Sequence, residues 1–468
     1  MRKTTRITAA LVGATALVLP LAGPVAAAPS GSGATGAGDP YFPRQGNGGY
    51  DVAHYGLTLR YDTVGRRLRG RAAVTAVTTQ RLTRFDLDLR RSLVVRSVTV
   101  DGVRARFSQP ASLVQELVIR PRTAVAAGAS FRVVVRYAGR PKAITDPDGS
   151  QDGWIETSDG NVTLSEPQGS PSWYPCNDTP TDKATYDVKV TVPPGITAIS
   201  NGELVSRTPA GKGWRTFTWH NGQPMATYLS TVTTGKFRVT TSTTPAGIPV
   251  YLATDPTVSR RSAKVLGKVP AMTDYFTSLY GLYPFDSIGA VVDNAPDVGY
   301  ALENQTKPIY DRPPDQATVA HEISHMWFGD SVTLRRWRDI WVNEGFAEFS
   351  VWMWSEQSGG RAAQTYFTRL YAKKGARDLW NPPPGNPGGP VDMFGRSVYE
   401  RGAMTLQALR VKVGDAVFFP MLRSWYASHV YGTVSVKDFT SYAEAYTGQD
   451  LTAFFTAWLY TKGRPKTW

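Results

Sequence analysis

Two textures of hydrophobic and polar residues divide the chain. From Tyr50 to about Tyr251, apolar and polar positions alternate in short runs. Examples are Tyr55-Gly-Leu57-Thr-Leu59-Arg-Tyr61, Leu93 to Val100, Phe131 to Val135 and Tyr186-Asp-Val188-Lys-Val190-Thr-Val192. A period of two sends successive side chains to opposite faces, so each run predicts a half-buried strand. Asp101-Gly102, Pro193-Pro-Gly195 and Asn201-Gly202 punctuate the runs as turns. Many short strands between such signals predict an antiparallel sandwich or saddle. After Thr254 the spacing becomes helical over Ser259–Tyr280, Asp315–Phe328, Ile340–Glu356, Val398–Val413 and Val417–His429. Between the first two lie strand-like stretches, Ser287–Val292 and Gly299–Ile309. The expected fold class is α+β, with an N-terminal all-β domain over 49–247 and a mostly helical domain over 248–468. The Pro/Gly-rich stretch Asn381–Pro390 predicts a loop.

The N-terminus follows another plan. Arg2, Lys3 and Arg6 precede an apolar stretch, Ile7 to Leu21, which ends in Ala26-Ala27-Ala28. That is the order of a secretory signal, so residues 1–28 predict a cleavable signal peptide and a secreted, extracellular protein. Residues 29–48, rich in Gly, Ser and Ala, predict a flexible linker. No other long apolar run is present, so no transmembrane segment is expected in the mature chain.

Composition narrows the classes further. Aromatic residues make up 11% of the 468 residues, which excludes a disordered chain. A single cysteine, Cys176, excludes a disulfide framework and a cysteine-built metal cluster, and predicts a packed, inert thiol. The formal net charge is +14. The run Arg66-Arg67-Leu-Arg69-Gly-Arg71 has no interleaved aromatics, so it reads as a solvated strand face and no nucleic acid is expected as partner.

The candidate chemistry lies in His321-Glu322-Ile323-Ser324-His325. On a helix, positions i and i+4 share a face, so two imidazoles can reach one Zn²⁺ with Glu322 beside it. Eighteen residues, 326 to 343, separate His325 from Glu344, within Trp341-Val-Asn-Glu-Gly-Phe-Ala-Glu348. Two His and one Glu leave a coordination position open for water, as in a catalytic zinc site. One Zn²⁺ per chain is expected. His54, His220 and His429 lack such company and are expected to be ordinary side chains. Trp327, Trp337, Trp341, Trp352 and Trp354 flank the two segments and are expected to fill core around them.

These motifs together resemble the aminopeptidase N family of zinc metallopeptidases, in a short two-domain form. Gly299-Tyr-Ala-Leu-Glu-Asn304 resembles the family's G-A-M-E-N motif, with Leu302 in place of Met and Tyr300 in place of the first Gly. Tyr174-Pro-Cys-Asn-Asp-Thr-Pro180 resembles its F-P-C-x-D-x-P segment. Glu166 stands where the family has a substrate-facing Gln or Glu, whereas Pro171-Ser172 occupy the place of a family Arg. Val398-Tyr-Glu-Arg-Gly402 matches the sequence around the family's catalytic tyrosine. The resemblance runs from about residue 50 to the C-terminus, and the C-terminal helical domain of longer members is expected to be absent. It implies a thermolysin-like catalytic domain and a hydrolase that removes N-terminal residues from peptides. His321, His325 and Glu344 would hold the zinc, Glu322 would move the proton of the attacking water, and Tyr399 would donate to the oxyanion. Glu303, with Glu166, would bind the free α-ammonium, and Asn304 and the backbone of Gly299 to Leu302, Ala301 included, would line the substrate. Peptides with a free N-terminus are the expected partners. A zinc endopeptidase and a lipid-epoxide hydrolase on the same scaffold are the enzymatic alternatives. A non-catalytic binding module is the third class, against which the intact set of motif residues argues.

Overall fold

The computed structural model describes residues 31–466, so the expected signal peptide, 1–28, lies outside the described residues. The first half is built on an eight-stranded sheet. Its order is Glu203–Pro209, Arg215–Met225, Ala184–Val192, Tyr50–Asp62, Arg67–Thr78, Ser130–Gly139, Leu93–Val100 and Val103–Arg104. Neighbours run antiparallel except Tyr50–Asp62 beside Ala184–Val192, which is parallel. In Tyr50–Asp62 the inner face carries Tyr50, Val52, Tyr55, Leu57, Leu59 and Tyr61. A register shift between Val52 and His54 resets the alternation, as a bulge does. Two smaller sheets cover that inner face. One has five strands, including Gln151–Glu156 and Asn161–Leu164, and the other has three, including Phe85–Asp88. Edge-on aromatic pairs join the layers, Tyr61 with Trp154 at 4.8 Å and Phe131 with Phe85 at 5.3 Å.

Residues 31–48 correct the linker expectation. Ser32 forms a β-bridge to Arg84, and Phe42 is buried edge-on to Trp337 at 6.2 Å. Asn47 Nδ2 donates to Asp88 (3.1 Å), and the Asp39 carboxylate accepts from the Trp337 backbone N–H (2.8 Å). Composition signals flexibility only where nothing pairs with the backbone, and here the Gly33 and Gly48 N–H groups donate to the carbonyls of Arg84 and Ala34. The segment clasps both halves of the chain.

The second half opens with a mixed five-stranded sheet in the order Arg238–Thr243, Pro249–Thr254, Ile288–Val292, Ile309–Tyr310 and Ala301–Leu302. The first two strands form a hairpin, so the expected boundary at 247/248 falls in its turn and Arg238–Thr243 pairs with the second half. The expected stretch Gly299–Ile309 is strand only at its ends. The helix expected over Ser259–Tyr280 is two, Ser259–Leu266 and Val269–Tyr280, broken at Gly267-Lys268. Gln316–Ser324, Trp341–Gln357, Gly402–Val413 and Asp415–His429 lie where helical spacing put helices, and Ala363–Ala372 and Val436–Thr447 are additional. The Trp residues named above are all buried, as is Cys176. Among the described residues no helix is long and apolar enough to cross a membrane.

One helix crossing positions the site. Trp341–Gln357 is buried along nearly its whole length. Gly402–Val413 crosses it so closely that a Cβ on Gly402 would lie 2.9 Å from Gly345 Cα. Only two glycines permit that approach, and they stand next to Glu344 and three residues after Tyr399.

Candidate active site and metal centre

Asp315 starts the first ligand helix, Gln316–Ser324, by accepting the Thr318 N–H at 2.8 Å. One turn apart on it, His321 and His325 lie with ring centroids 4.8 Å from each other. His325 Nδ1 is 3.0 Å from the Phe328 carbonyl. A carbonyl only accepts, so this nitrogen carries the proton and Nε2 keeps its lone pair. That Nε2 is 3.5 Å from Glu344 Oε2, and His321 Nε2 is 3.1 Å from the same oxygen. Donors bonded to one tetrahedral zinc at about 2.0–2.1 Å would stand roughly 3.3 Å apart. The chemistry and spacing of this set therefore fit a zinc ion, and the three ligand atoms lie within 4.8 Å of one another.

Supporting contacts come from residues that the motifs did not single out. Glu348, one turn beyond Glu344, points Oε2 toward His321 Nδ1 at 3.8 Å, while its Oε1 accepts from Trp352 Nε1 at 3.0 Å. The i+4 spacing from Glu344 was the available signal for Glu348. Arg401 is fully buried and donates to the carbonyls of Trp380, Ala457, Trp458 and Thr461 at 2.6–2.9 Å. It fastens the π-helical turn Ser397–Arg401, which carries Tyr399. The Tyr399 ring lies over His321, with centroids 5.9 Å apart and planes 24° apart.

A cavity of about 360 Å³ opens at this centre. His321, Glu322, His325, Glu344 and Tyr399 line it together with Glu166, Ala301 and Glu303. Ala301–Leu302 is the edge strand of its sheet, paired on one side to Ile309–Tyr310. After Glu303 the chain is gripped by the β domain. Gly202 N–H donates to Thr306 Oγ1 (2.7 Å), Asn201 Nδ2 to the Gln305 carbonyl (2.8 Å) and Lys307 Nζ to the Gly202 carbonyl (2.8 Å). Glu303 and Glu166 each keep one buried carboxylate oxygen without a partner. Carboxylate oxygens of these two and of Glu344 lie within 4.8 Å of one another. Two sequence candidates are not brought in. Asn304 is buried outside the lining, with its Nδ2 donating to the Leu229 carbonyl at 3.2 Å. Gly299, at φ +92°, stands beside a different depression and donates to Asp311 at 2.9 Å.

The site's charges are shaped by burial. Burial raises the Glu322 carboxyl, the two imidazoles pull it back, and Glu303 and Glu344 push it up, leaving it at about 7. A base near neutrality is suited to taking a proton and giving it back. Burial would also raise Glu344, but the facing imidazoles outweigh it and hold it at about 2. Burial raises Glu303, and both burial and Glu303 raise Glu166. A cation placed between these two carboxylates would relieve their mutual repulsion.

Two sequence profiles of one family match the chain, the Peptidase M1 N-terminal domain over residues 52–229 and the Peptidase family M1 domain over residues 299–458. The chain belongs to peptidase family M1, a family of zinc metallopeptidases, and carries its N-terminal β domain and its helical catalytic domain. Its fold is similar to the crystal structure of an M1 zinc metallopeptidase from Deinococcus radiodurans, with a TM-score of 0.84 and 28% identity over 92% of this chain and 99% of that one. A point variant of that protein has been solved bound to a Tyr-Ser-Ala substrate. Among curated relatives, aminopeptidase M1 of Arabidopsis thaliana is 26% identical over 65% of this chain and 37% of its own length. Human glutamyl aminopeptidase is 30% identical over 40% of this chain and 21% of its own. The chain thus spans 37% and 21% of the lengths of these two curated relatives.

Proposed function

We propose that this protein is a secreted zinc aminopeptidase that removes N-terminal residues from peptides. The observation that carries the reading is the pair of unpartnered, buried carboxylate oxygens on Glu303 and Glu166 beside the His₂Glu donor set. A charged α-ammonium between them satisfies both, and it fixes the scissile bond one residue from the chain end. A buried anion without a partner is costly, so the site favours substrates that bring the matching cation.

His321, His325 and Glu344 hold the metal, which when bound supplies a polarised carbonyl and an acidified water. Glu322 takes the proton of the attacking water and passes it to the leaving amine. Tyr399 donates its phenolic proton to the developing oxyanion, a contact of a kind worth about 2.7–4 kcal/mol of barrier. The free edge of Ala301–Leu302 pairs with the substrate backbone as an added strand. Among the described residues no Lys or Arg lines the cavity, whereas Asp148 stands with the four glutamates. Neutral and cationic N-terminal residues therefore suit it better than acidic ones.

A panel of amino-acid amides tests the reading. Leu- and Arg-amides are expected to be hydrolysed, Glu-amide poorly, and a chelator should abolish all turnover until zinc is restored. Chelator-resistant hydrolysis would remove the metal from the reaction.

A further inference from the structure

The outer face of the eight-stranded sheet carries a depression of about 510 Å³ that shares no lining residue with the zinc cavity. Gly56 and Ala73 form its floor, and they are cross-strand partners in the register. Their minimal side chains leave a hole in a surface where every neighbour is longer. Cations surround it. Arg71 lies two residues from Ala73 on the same face, Lys189 pairs across from Thr58, and Arg132 pairs across from Thr75.

The same face opposes like charges. Arg71 stands directly across from Arg136, and Arg60 directly across from Arg69. Like charges facing each other across strands are destabilising. Among the described residues, the ion pairs at this depression are those of His54 and His220 with Asp187, at 3.4 and 2.8 Å. Among the described residues Asp187 is the sole acid of the lining, and each of its oxygens already faces a histidine nitrogen. Among the described residues the side chains of Arg71, Arg132 and Lys189 form no ion pair with a carboxylate, although the Arg132 backbone N–H donates to Asp101 at 2.8 Å. Burial, Arg132 and Arg136 all lower the Arg71 guanidinium, as expected for crowded cations.

We propose that this depression is a binding site for a soluble chain of phosphodiesters. Arg presents a planar fork of donors that matches phosphate oxygens, and Lys adds a point charge. The depression is larger than one phosphate group, and the Arg60/Arg69 and Arg71/Arg136 rungs continue the positive track beyond it. The charge run at Arg66–Arg71, read from sequence as a solvated strand face, supplies two of these groups, Arg69 and Arg71.

Calorimetry on the zinc-loaded mature protein at low salt tests the site, with a short poly(glycerol phosphate) as the soluble probe. Vesicles of phosphatidylglycerol in phosphatidylcholine present the same head group on a lipid surface. Gly56→Leu fills the floor without changing charge, and a Cβ there meets nothing closer than 3.7 Å. Arg132→Ala/Lys189→Ala removes two exposed cations. Each is expected to weaken binding by about tenfold or more, with peptidase activity unchanged. Arg369→Ala/Lys373→Ala removes equal charge from the helix Ala363–Ala372 and its C-cap, outside the depression, and should have little effect. Loss in the soluble arm supports the proposal, and loss confined to vesicles overturns it by assigning the site to a lipid head group. Binding in neither arm overturns the proposal. So does binding that Gly56→Leu leaves intact while both double variants weaken it equally, because that would reflect net charge alone.

Discussion

Replacing Gly402 by Ala sets two effects against each other. Gly402 sits in helical backbone, at φ −57° and ψ −51°. Helix propensity alone says that Ala there should stabilise by about 1 kcal/mol. The crossing says the opposite, because the new Cβ would lie 2.6 Å from Trp341 Cδ1 and 2.9 Å from Gly345 Cα. Overpacking of this kind costs roughly 1–3 kcal/mol, and a contact with backbone cannot be relieved by a rotamer change. Because backbone is one of the clashing partners, the cost lies toward the upper end of that range, and the clash should win by up to about 2 kcal/mol. Something must also move. Trp341–Gln357 is packed on nearly all sides, whereas Tyr399 and Glu400 are only partly buried, so the tyrosine turn should yield. A misplacement near 1 Å can cost about a hundredfold in rate. We therefore expect Gly402→Ala to lower the thermal midpoint by a few degrees and kcat by roughly 10–100-fold, with zinc content retained. Differential scanning calorimetry, amide hydrolysis and metal analysis on one preparation would check this. A variant that melts higher than wild type with unchanged kcat would refute the claim that this crossing sets the Tyr399 position.

Other expectations follow from the site and the core. Glu322→Gln should keep the metal but lose on the order of 10²–10⁴ in kcat, because an amide cannot accept the proton; unchanged turnover would exclude Glu322. His325→Ala should lose stoichiometric zinc, read by elemental analysis, and full retention would sink its place among the ligands. Stability should fall as pH rises from 6 to 8 in the zinc-loaded protein. Burial raises Glu116 to about 8 and Asp146 to about 7, both above their unfolded values near 4. In that window the folded chain holds protons that the unfolded chain releases, so stability present below the window is lost through it. A flat melting temperature between these pH values would contradict this, and Glu116→Gln should reduce the slope.

What the sequence revealed followed the range of the interactions. His321 and His325 were legible because helical spacing alone puts them on one face, and Glu344 because it continues a second local motif. Strands such as Ala184–Val192 were legible because one face is buried and the other wet. Arg401 was not, since its four carbonyl partners lie 21 to 60 residues away and leave no local pattern. The clasp at residues 31–48 was misread because Gly-rich composition signals freedom, while long-range bonds from Asp39 and Asn47 decide the outcome. Asn304 was placed among substrate residues by its motif neighbour, but the fold uses it to hold Leu229. The helix Val436–Thr447 had a readable start, since Ser435 and Asp438 form a reciprocal capping box. His54 and His220, ordinary when read singly, meet on Asp187 only because the sheet brings their strands together.

The central claim is that buried carboxylates select a free amino terminus, and one time course tests it most directly. A peptide and its N-acetylated twin are each incubated with zinc-loaded wild-type protein and with Glu303→Ala, and products are followed by mass spectrometry. Acetylation removes the cation that Glu303 and Glu166 await, and breaking a buried pair costs about 3–5 kcal/mol. The free peptide should shorten one residue at a time from its first position. Its twin should resist by a few hundred-fold or more, and Glu303→Ala should lose most of both the activity and the discrimination. Internal cleavage of the acetylated peptide at a comparable rate would contradict the account and make the enzyme a zinc endopeptidase.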